Sequence, residues 1–300
     1  MNEFLNSSSA TAGPHRIGGA TKVCAVIGDP IEHTLSPPMH NAAFRSLGMD
    51  YVYVAFRIRR DQLARAIAGF RALGIVGVNV TRPHKTSILR FLDGIERNAR
   101  EIGAVNTVVN ADGTLRGYNT DGQAAFDVLQ GIGGSLSDKK VVILGAGGAA
   151  RAITHFLSKT VPRISMLNRT RSRGSKLAAE IARRSKAQCR AYGLSKADLR
   201  KEVPEADLVI NTLPVDIFPR FGAILIQEEL IRPGMIVFDA NYVHRNDFLV
   251  DAERAGATVT DGLEMLVRQA ALSFKLWTGR EPPIDVMRAA ANEAKGGWTA

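Results

Sequence analysis

The stretch VVILGAGGAAR, residues 141–151, decides the fold. Val141–Leu144 is a short apolar run of the kind that forms a buried strand, and it breaks off at once into glycine. Gly145, Gly147 and Ala150 match G-x-G-x-x-G/A, with the helical segment Ala149–Leu157 directly behind. The first glycine permits a tight turn, the second lets a phosphate approach the backbone, and the small third residue lets helix pack on strand. Amides at the helix N-terminus then meet the anion. A structural glycine turn would share the glycines. The strand before, the helix after and the following strand Arg163–Leu167 complete a βαβ unit and favour dinucleotide binding. Gly145, Ala146, Gly147, Gly148 and Ala149 are the candidate phosphate-binding residues.

That following strand ends in NRTRSR, residues 168–173. An NAD site would place Asp or Glu there to bind the ribose 2′-hydroxyl. Here no carboxylate is present, and Arg169, Arg171 and Arg173 are. A 2′-phosphate is a dianion, and guanidinium forks suit it. NADP(H) is therefore the expected cofactor, with a basic, solvated helix start as the alternative use of the arginines.

Outward from this unit, strands and helices alternate along the chain. On the N-terminal side the pattern predicts strands at Lys22–Ile27, Tyr51–Arg57 and Ile75–Thr81 and a helix over Asp61–Leu73. Ser36 is the expected N-cap of a helix with Pro37 at its first position, closed by Gly48. A helical segment from His84 to about Glu101, broken near Gly94, precedes a hairpin turning at Asp112-Gly113. On the C-terminal side come a helix over Ser172–Arg184, strands at Leu208–Asn211, Met235–Asp239 and Thr258–Thr260, and a helix over Gly262–Trp277. Alternation of this kind implies parallel sheets covered by helices on both faces. The expected fold class is α/β, with two α/β domains separated by a cleft.

Composition sets outer bounds. The 300 residues are 45% hydrophobic and 23% charged, an ordinary globular balance. No apolar run approaches the ~18 residues of a membrane span. Residues 1–20 read as a disordered tail without a secretory signal, so a cytoplasmic location is expected. Cys24 and Cys189 lie far apart without metal-ligand spacing, and the histidines lack an acidic cluster, so no metal is expected. A formal net charge of +10 fits an anionic partner, but the basic residues lack the aromatic interleaving of a single-strand binder. Neither nucleic acid nor membrane is an expected partner.

One further stretch resists a purely structural account. GVNVTRPHK, residues 77–85, alternates like a buried strand yet places Asn79 and Thr81 on one face. Pro83 suits a helix's first turn, which would leave Lys85 near its positive end, a mildly unfavourable place for a cation.

Taken in order, these motifs resemble shikimate dehydrogenase, from residue 23 to about residue 280. GDPIEHTLSPPMHN (28–41) is similar to the family's opening loop, whose two hydroxyl residues, here Thr34 and Ser36, bind the substrate carboxylate. GVNVTRPHK resembles the N-V-T-x-P-x-K element, implying substrate-binding Asn79 and Thr81 and catalytic Lys85. GAVNT (103–107) supplies Asn106, and YNTDG (118–122) supplies Asp121, the partner of the lysine. NRTRSR resembles the family's NADP clamp, implying contacts from Asn168, Arg169, Thr170 and Arg173. Tyr242 and Gln269 fall at substrate positions, and Gly262 at a cofactor position. The resemblance implies a substrate-binding domain over 21–121 with helices from 262–300 packed back on it, and a Rossmann NADP-binding domain over 122–261. It implies NADPH-dependent reduction of 3-dehydroshikimate to shikimate by a monomer or homodimer.

Departures from the family pattern are Thr34 for serine, Leu213, Pro214 and Asp216 in NTLPVDI (211–217), and Glu264 for glycine. Alternatives are a quinate/shikimate dehydrogenase and a non-catalytic nucleotide-sensing regulator. Individual residues have plainer uses too. Asp121 could cap a helix starting at Gly122, Tyr242 could be a packed aromatic, and Gln269 an ordinary polar position on an amphipathic helix.

Overall fold

The computed structural model describes residues 17–214, 228–242 and 247–297. Asp216 and most of the expected tail lie outside these residues. Two six-stranded sheets organise the described chain. The first contains β1 (Lys22–Gly28), β2 (Tyr51–Arg57), β3 (Gly77–Val80), β4 (Gly94–Ile95), β5 (Thr107–Ala111) and β6 (Thr114–Tyr118), in the order β2-β1-β3-β5-β6-β4. Only β5 runs against the others. Three helices belong to it: α1 (Ser36–Ser46), α2 (Leu63–Ala72) and α3 (Arg97–Ile102). The β5–β6 hairpin turns through Asp112 (φ 49°) and Gly113 (φ 86°), the left-handed pair that a two-residue hairpin requires.

α4 (Asp121–Gly133) leads into the second sheet, which is parallel throughout. Its strands are β7 (Lys140–Leu144), β8 (Arg163–Leu167), β9 (Gln188–Tyr192), β10 (Leu208–Asn211), β11 (Ile236–Asp239) and β12 (Thr258–Thr260), in the order β12-β11-β10-β7-β8-β9. α5 (Gly148–Leu157), α6 (Arg171–Ala182), α7 (Lys196–Glu202) and α8 (Asp247–Arg254) accompany them. The chain starts at the centre and winds outward both ways, so the crevice beyond the end of β7 is a topological switch point. The glycine loop lies there.

α9 (Leu263–Thr278) and α10 (Ile284–Gly296) return to the first sheet. Val267, Phe274, Trp277 and Met287 share one apolar core with Cys24, Val26, Met39 and Phe44. The indole of Trp277 donates to Val108 O at 2.9 Å, and a Cβ on Gly77 would lie 2.2 Å from its nitrogen. Truncating Trp277 would open a cavity costing about 3–5 kcal/mol.

The expected helix from His84 is replaced by a 3-10 turn (Ser87–Phe91), then β4 and α3. The hairpin outcompetes helix formation for the backbone: Lys85 O accepts from Val105 N, Leu115 O from Asp93 N, and Gly117 O from Glu96 N. Lys85 therefore sits in the turn ahead of this 3-10 segment, not inside the first turn of a helix. Ser36 is the first helical residue of α1, and Leu35 is the N-cap. The segments β9, α7 and α8 have no counterpart in the sequence-based assignment. β9 is a half-exposed edge strand, and Ser195 capping Asp198 N marks the short α7.

His40 on α1 is fully buried, and neither ring nitrogen has a hydrogen-bond partner. Burial pushes its pKa from 6.5 down to about 3. The unfolded chain therefore takes up this proton at higher pH than the native state does. Native stability linked to His40 is complete above pH 6.5 and is lost as pH falls toward 3. Urea unfolding across this range should show that loss, and His40→Phe should flatten it. An unchanged slope in the variant would place the acid sensitivity elsewhere.

Candidate active site

The Asp121 carboxylate, at the start of α4, is the hub of a polar network between the two sheets. Its Oδ2 accepts from Lys85 Nζ at 2.6 Å, and its Oδ1 accepts from Asn106 Nδ2 at 2.9 Å. The lysine side chain is 18% exposed and the aspartate 5%. The capping alternative for Asp121 does not hold, because Asn119 Oδ1 serves the helix end, accepting from Asp121 N at 3.1 Å and Gly122 N at 3.4 Å. Asp121 is thereby released to face the lysine.

Asn106 lies just ahead of β5 and holds the hub in place. Its Oδ1 accepts from Thr120 N (2.8 Å), while Nδ2 also donates to Thr120 Oγ1 (2.8 Å) and Gln269 Oε1 (3.3 Å). Asn79 on β3 continues the network, with Nδ2 directed at Asn106 O, Thr107 Oγ1 and Ser273 Oγ. Gln269 and Ser273 lie one turn apart on α9, so the C-terminal helix closes the site. Gln269 is thus more than an ordinary surface position.

A second cluster forms where α1 begins. Thr34 Oγ1 accepts from Ser36 N at 3.3 Å, and Tyr242 bonds the Thr34 side chain and the Leu35 backbone. Burial pushes the Tyr242 phenol up to about 12, against those two hydrogen bonds. Tyr242 follows β11, so its contact with Thr34 spans the two sheets. Thr81 stands apart from both clusters. Its amide bonds Ile27 O, and its methyl group packs so closely on Gly28 that a Cβ there would lie 2.5 Å away.

The glycine loop abuts the hub. Gly145 has φ +113°, a conformation reserved for glycine, and a Cβ on it would lie 2.4 Å from Thr212 Oγ1. A Cβ on Gly148 would lie 3.0 Å from Lys85 Cβ and Cδ, so the lysine stem rests directly on the loop. α5 opens at Gly148 with no side-chain cap, leaving its first amides to a ligand. Beyond β8, Arg169, Arg171 and Arg173 are exposed around Thr170, and Asn168 Nδ2 donates to Thr170 O. This loop and the arginines suit a dinucleotide bearing an additional phosphate. Gly262 has a packing reason of its own: a Cβ would lie 2.3 Å from Ala240 O.

Glu264 is accounted for by packing, since its carboxylate bridges Arg268 and Arg288 at 2.8 Å each and ties α9 to α10. Leu213 is buried in the second core, and its carbonyl accepts from Asn241 Nδ2. Tyr53, Thr107, Thr120 and Ser273 are network members that sequence reasoning passed over. Thr120 adjoins Asp121, and Ser273 is four residues beyond Gln269, so signals for both existed. Among the described residues, no cluster of three or more His, Cys, Asp or Glu is arranged to hold a metal.

Comparison with known proteins gives consistent matches along the chain. Residues 26–108 match the shikimate dehydrogenase substrate binding domain, 127–214 the shikimate/quinate 5-dehydrogenase model, and 262–291 the shikimate 5′-dehydrogenase C-terminal domain. A shikimate dehydrogenase (NADP(+)) of Moorella thermoacetica is 43% identical over 94% of this chain and 96% of its own. A crystal structure of a shikimate dehydrogenase in complex with NADP+ superposes with a TM-score of 0.85 at 42% identity, covering 93% of this chain and 97% of that one. A Thermus thermophilus structure in complex with NADP(H) and shikimate gives 0.78 at 34% identity, covering 91% and 99%.

Because Asn106 satisfies the buried Thr120 amide and one Asp121 oxygen, Asn106→Ala should lower the unfolding free energy by roughly 2–4 kcal/mol. Urea denaturation at neutral pH measures it. A loss below ~1 kcal/mol would show that the hub stands without this amide.

Proposed function

The chain belongs to the shikimate dehydrogenase family, and we propose that it catalyses the reversible, NADPH-dependent reduction of 3-dehydroshikimate to shikimate. The observation that carries this is the Lys85–Asp121 ion pair at 2.6 Å, with the lysine stem lying on Gly148 of the glycine loop. Acid–base group and dinucleotide loop thus meet in one cleft, as reduction of a ketone requires.

Gly145, Ala146, Gly147, Gly148 and Ala149 would hold the pyrophosphate, and Asn168, Arg169, Thr170 and Arg173 the adenosine 2′-phosphate. NADPH supplies the hydride when bound. On the substrate side, Thr34 and Ser36 receive the ring carboxylate, with Tyr242 beside them. Asn79, Asn106 and Gln269 face the ring, and the family pattern adds Thr81 beside them. Lys85 carries the proton. As negative charge gathers on the ketone oxygen, the ammonium stabilises it and donates; in the reverse direction the amine accepts the alcohol proton. Asp121 orients Lys85 Nζ and balances its charge. The acid-binding unit is residues 21–121 with 262–300, and the nucleotide unit is 122–261.

Lys85→Ala should lower kcat by at least ~10² with much less change in KM for shikimate. Near-normal kcat in that variant would overturn the role of the lysine. Asp121→Asn should also be severely impaired, with the double variant less than additive. For the cofactor, kcat/KM should favour NADP over NAD by about tenfold or more, since each charged hydrogen bond is worth roughly 1.5–3 kcal/mol. Replacing Arg169 and Arg173 with Ala should raise KM for NADP selectively. Equal use of both cofactors by the unsubstituted protein would refute the 2′-phosphate assignment, and kcat/KM higher with quinate than with shikimate would refute the substrate.

A further inference from the structure

Tyr53, at the centre of β2, is 1% exposed, yet its hydroxyl reaches the site. It donates to Asn79 Oδ1 at 2.7 Å. It therefore ties the apolar core of the first sheet to the network of Asn79, Asn106 and Asp121. The ring itself is held from behind. His40 stacks on it with centroids 4.3 Å apart and planes 11° from parallel, and Phe274 and Trp277 back the imidazole at 6.4 and 5.3 Å. The imidazole uses neither ring nitrogen for a hydrogen bond, so it acts here as a flat, neutral plate.

The Asn79 amide is held from both ends. Three oxygens lie around its Nδ2, namely Asn106 O, Thr107 Oγ1 and Ser273 Oγ. Asn106 O can only accept, so it fixes the nitrogen on that side. The phenol on the other side faces Oδ1.

We propose that Tyr53 is a positioning residue for the substrate. Through its hydroxyl it holds the oxygen end of the Asn79 amide, and so fixes where this ring contact stands. His40 is the plate that keeps the phenol in place. This rests on the reading of the site given under Proposed function.

Steady-state kinetics of Tyr53→Phe, which keeps the ring and its stack, test the role. KM for shikimate should rise about five- to tenfold, the loss expected for one neutral hydrogen bond and the order it imposes. KM for NADP should stay near that of the unsubstituted protein. Combining Tyr53→Phe with Asn79→Ala should give a less than additive rise. For His40, the Phe variant should retain the KM for shikimate and the Leu variant, which lacks a plate, should raise it. This pair also decides the matter if Tyr53→Phe does not fold. A KM for shikimate unchanged in both Tyr53→Phe and His40→Leu would overturn the proposal, as would parallel rises in KM for both substrates. Failure of the unsubstituted protein to turn over shikimate would overturn the activity and this proposal together.

Discussion

The carboxylate of Asp121 stands at the junction of the two sheets, and the site is arranged around it. A helix start attracts negative charge, but Asn119 has taken over the capping of α4. Both Asp121 oxygens are then available sideways, one to Lys85 and one to Asn106. Three remote parts of the chain converge through this group: the turn after β3, the segment leading into β5, and, through Gln269, the C-terminal helix. Burying an ion pair exacts a desolvation penalty that its own attraction only partly offsets. The extra hydrogen bond from Asn106 makes the arrangement tenable, and its use is geometric, since it holds one ammonium at one point of the cleft.

Close approach is the second constraint. Gly148 lets the lysine stem lie on the nucleotide loop, Gly28 admits Thr81, and Gly77 admits the indole of Trp277. Each contact joins segments distant in sequence. Arg151 adds a clasp on the far side, with Nε donating to Ile102 O at 2.7 Å and the guanidinium paired with Glu180. A side chain at Gly148 would push directly on Lys85, so the glycine there lets loop and lysine pack together.

The departures from the family pattern divide by location. Glu264 forms bridges between α9 and α10, away from the acid–base pair. Thr34 keeps the hydroxyl that a serine would supply, and this hydroxyl bonds Tyr242. Both are compatible with the activity, because neither alters the Lys85–Asp121–Asn106 geometry.

Local pattern was enough for the Rossmann unit. Val141–Leu144, the glycines and the arginine-rich end of β8 act through backbone conformation and nearby charge, which adjacent residues determine. The hairpin at Asp112-Gly113 was legible for the same reason, as both residues accept left-handed φ. Local pattern failed after Pro83, where an apparent helix gave way because Val105, Leu115 and Gly117 compete for its backbone groups. It also missed the edge strand β9, whose half-exposed face carries no clear alternation. Among the network residues, those in compact motifs were legible, while Tyr53 was not, since nothing near it in sequence signals a polar partner. By itself the sequence determined the two α/β units, the cofactor loop and the identities of lysine and aspartate. Only the tertiary structure decided that Asn119 caps α4 while Asp121 turns to Lys85, and that one buried phenol holds the Asn79 amide. Those outcomes depend on hydrogen-bond partners up to 194 residues apart, as between Asn79 and Ser273, and no local window contains them.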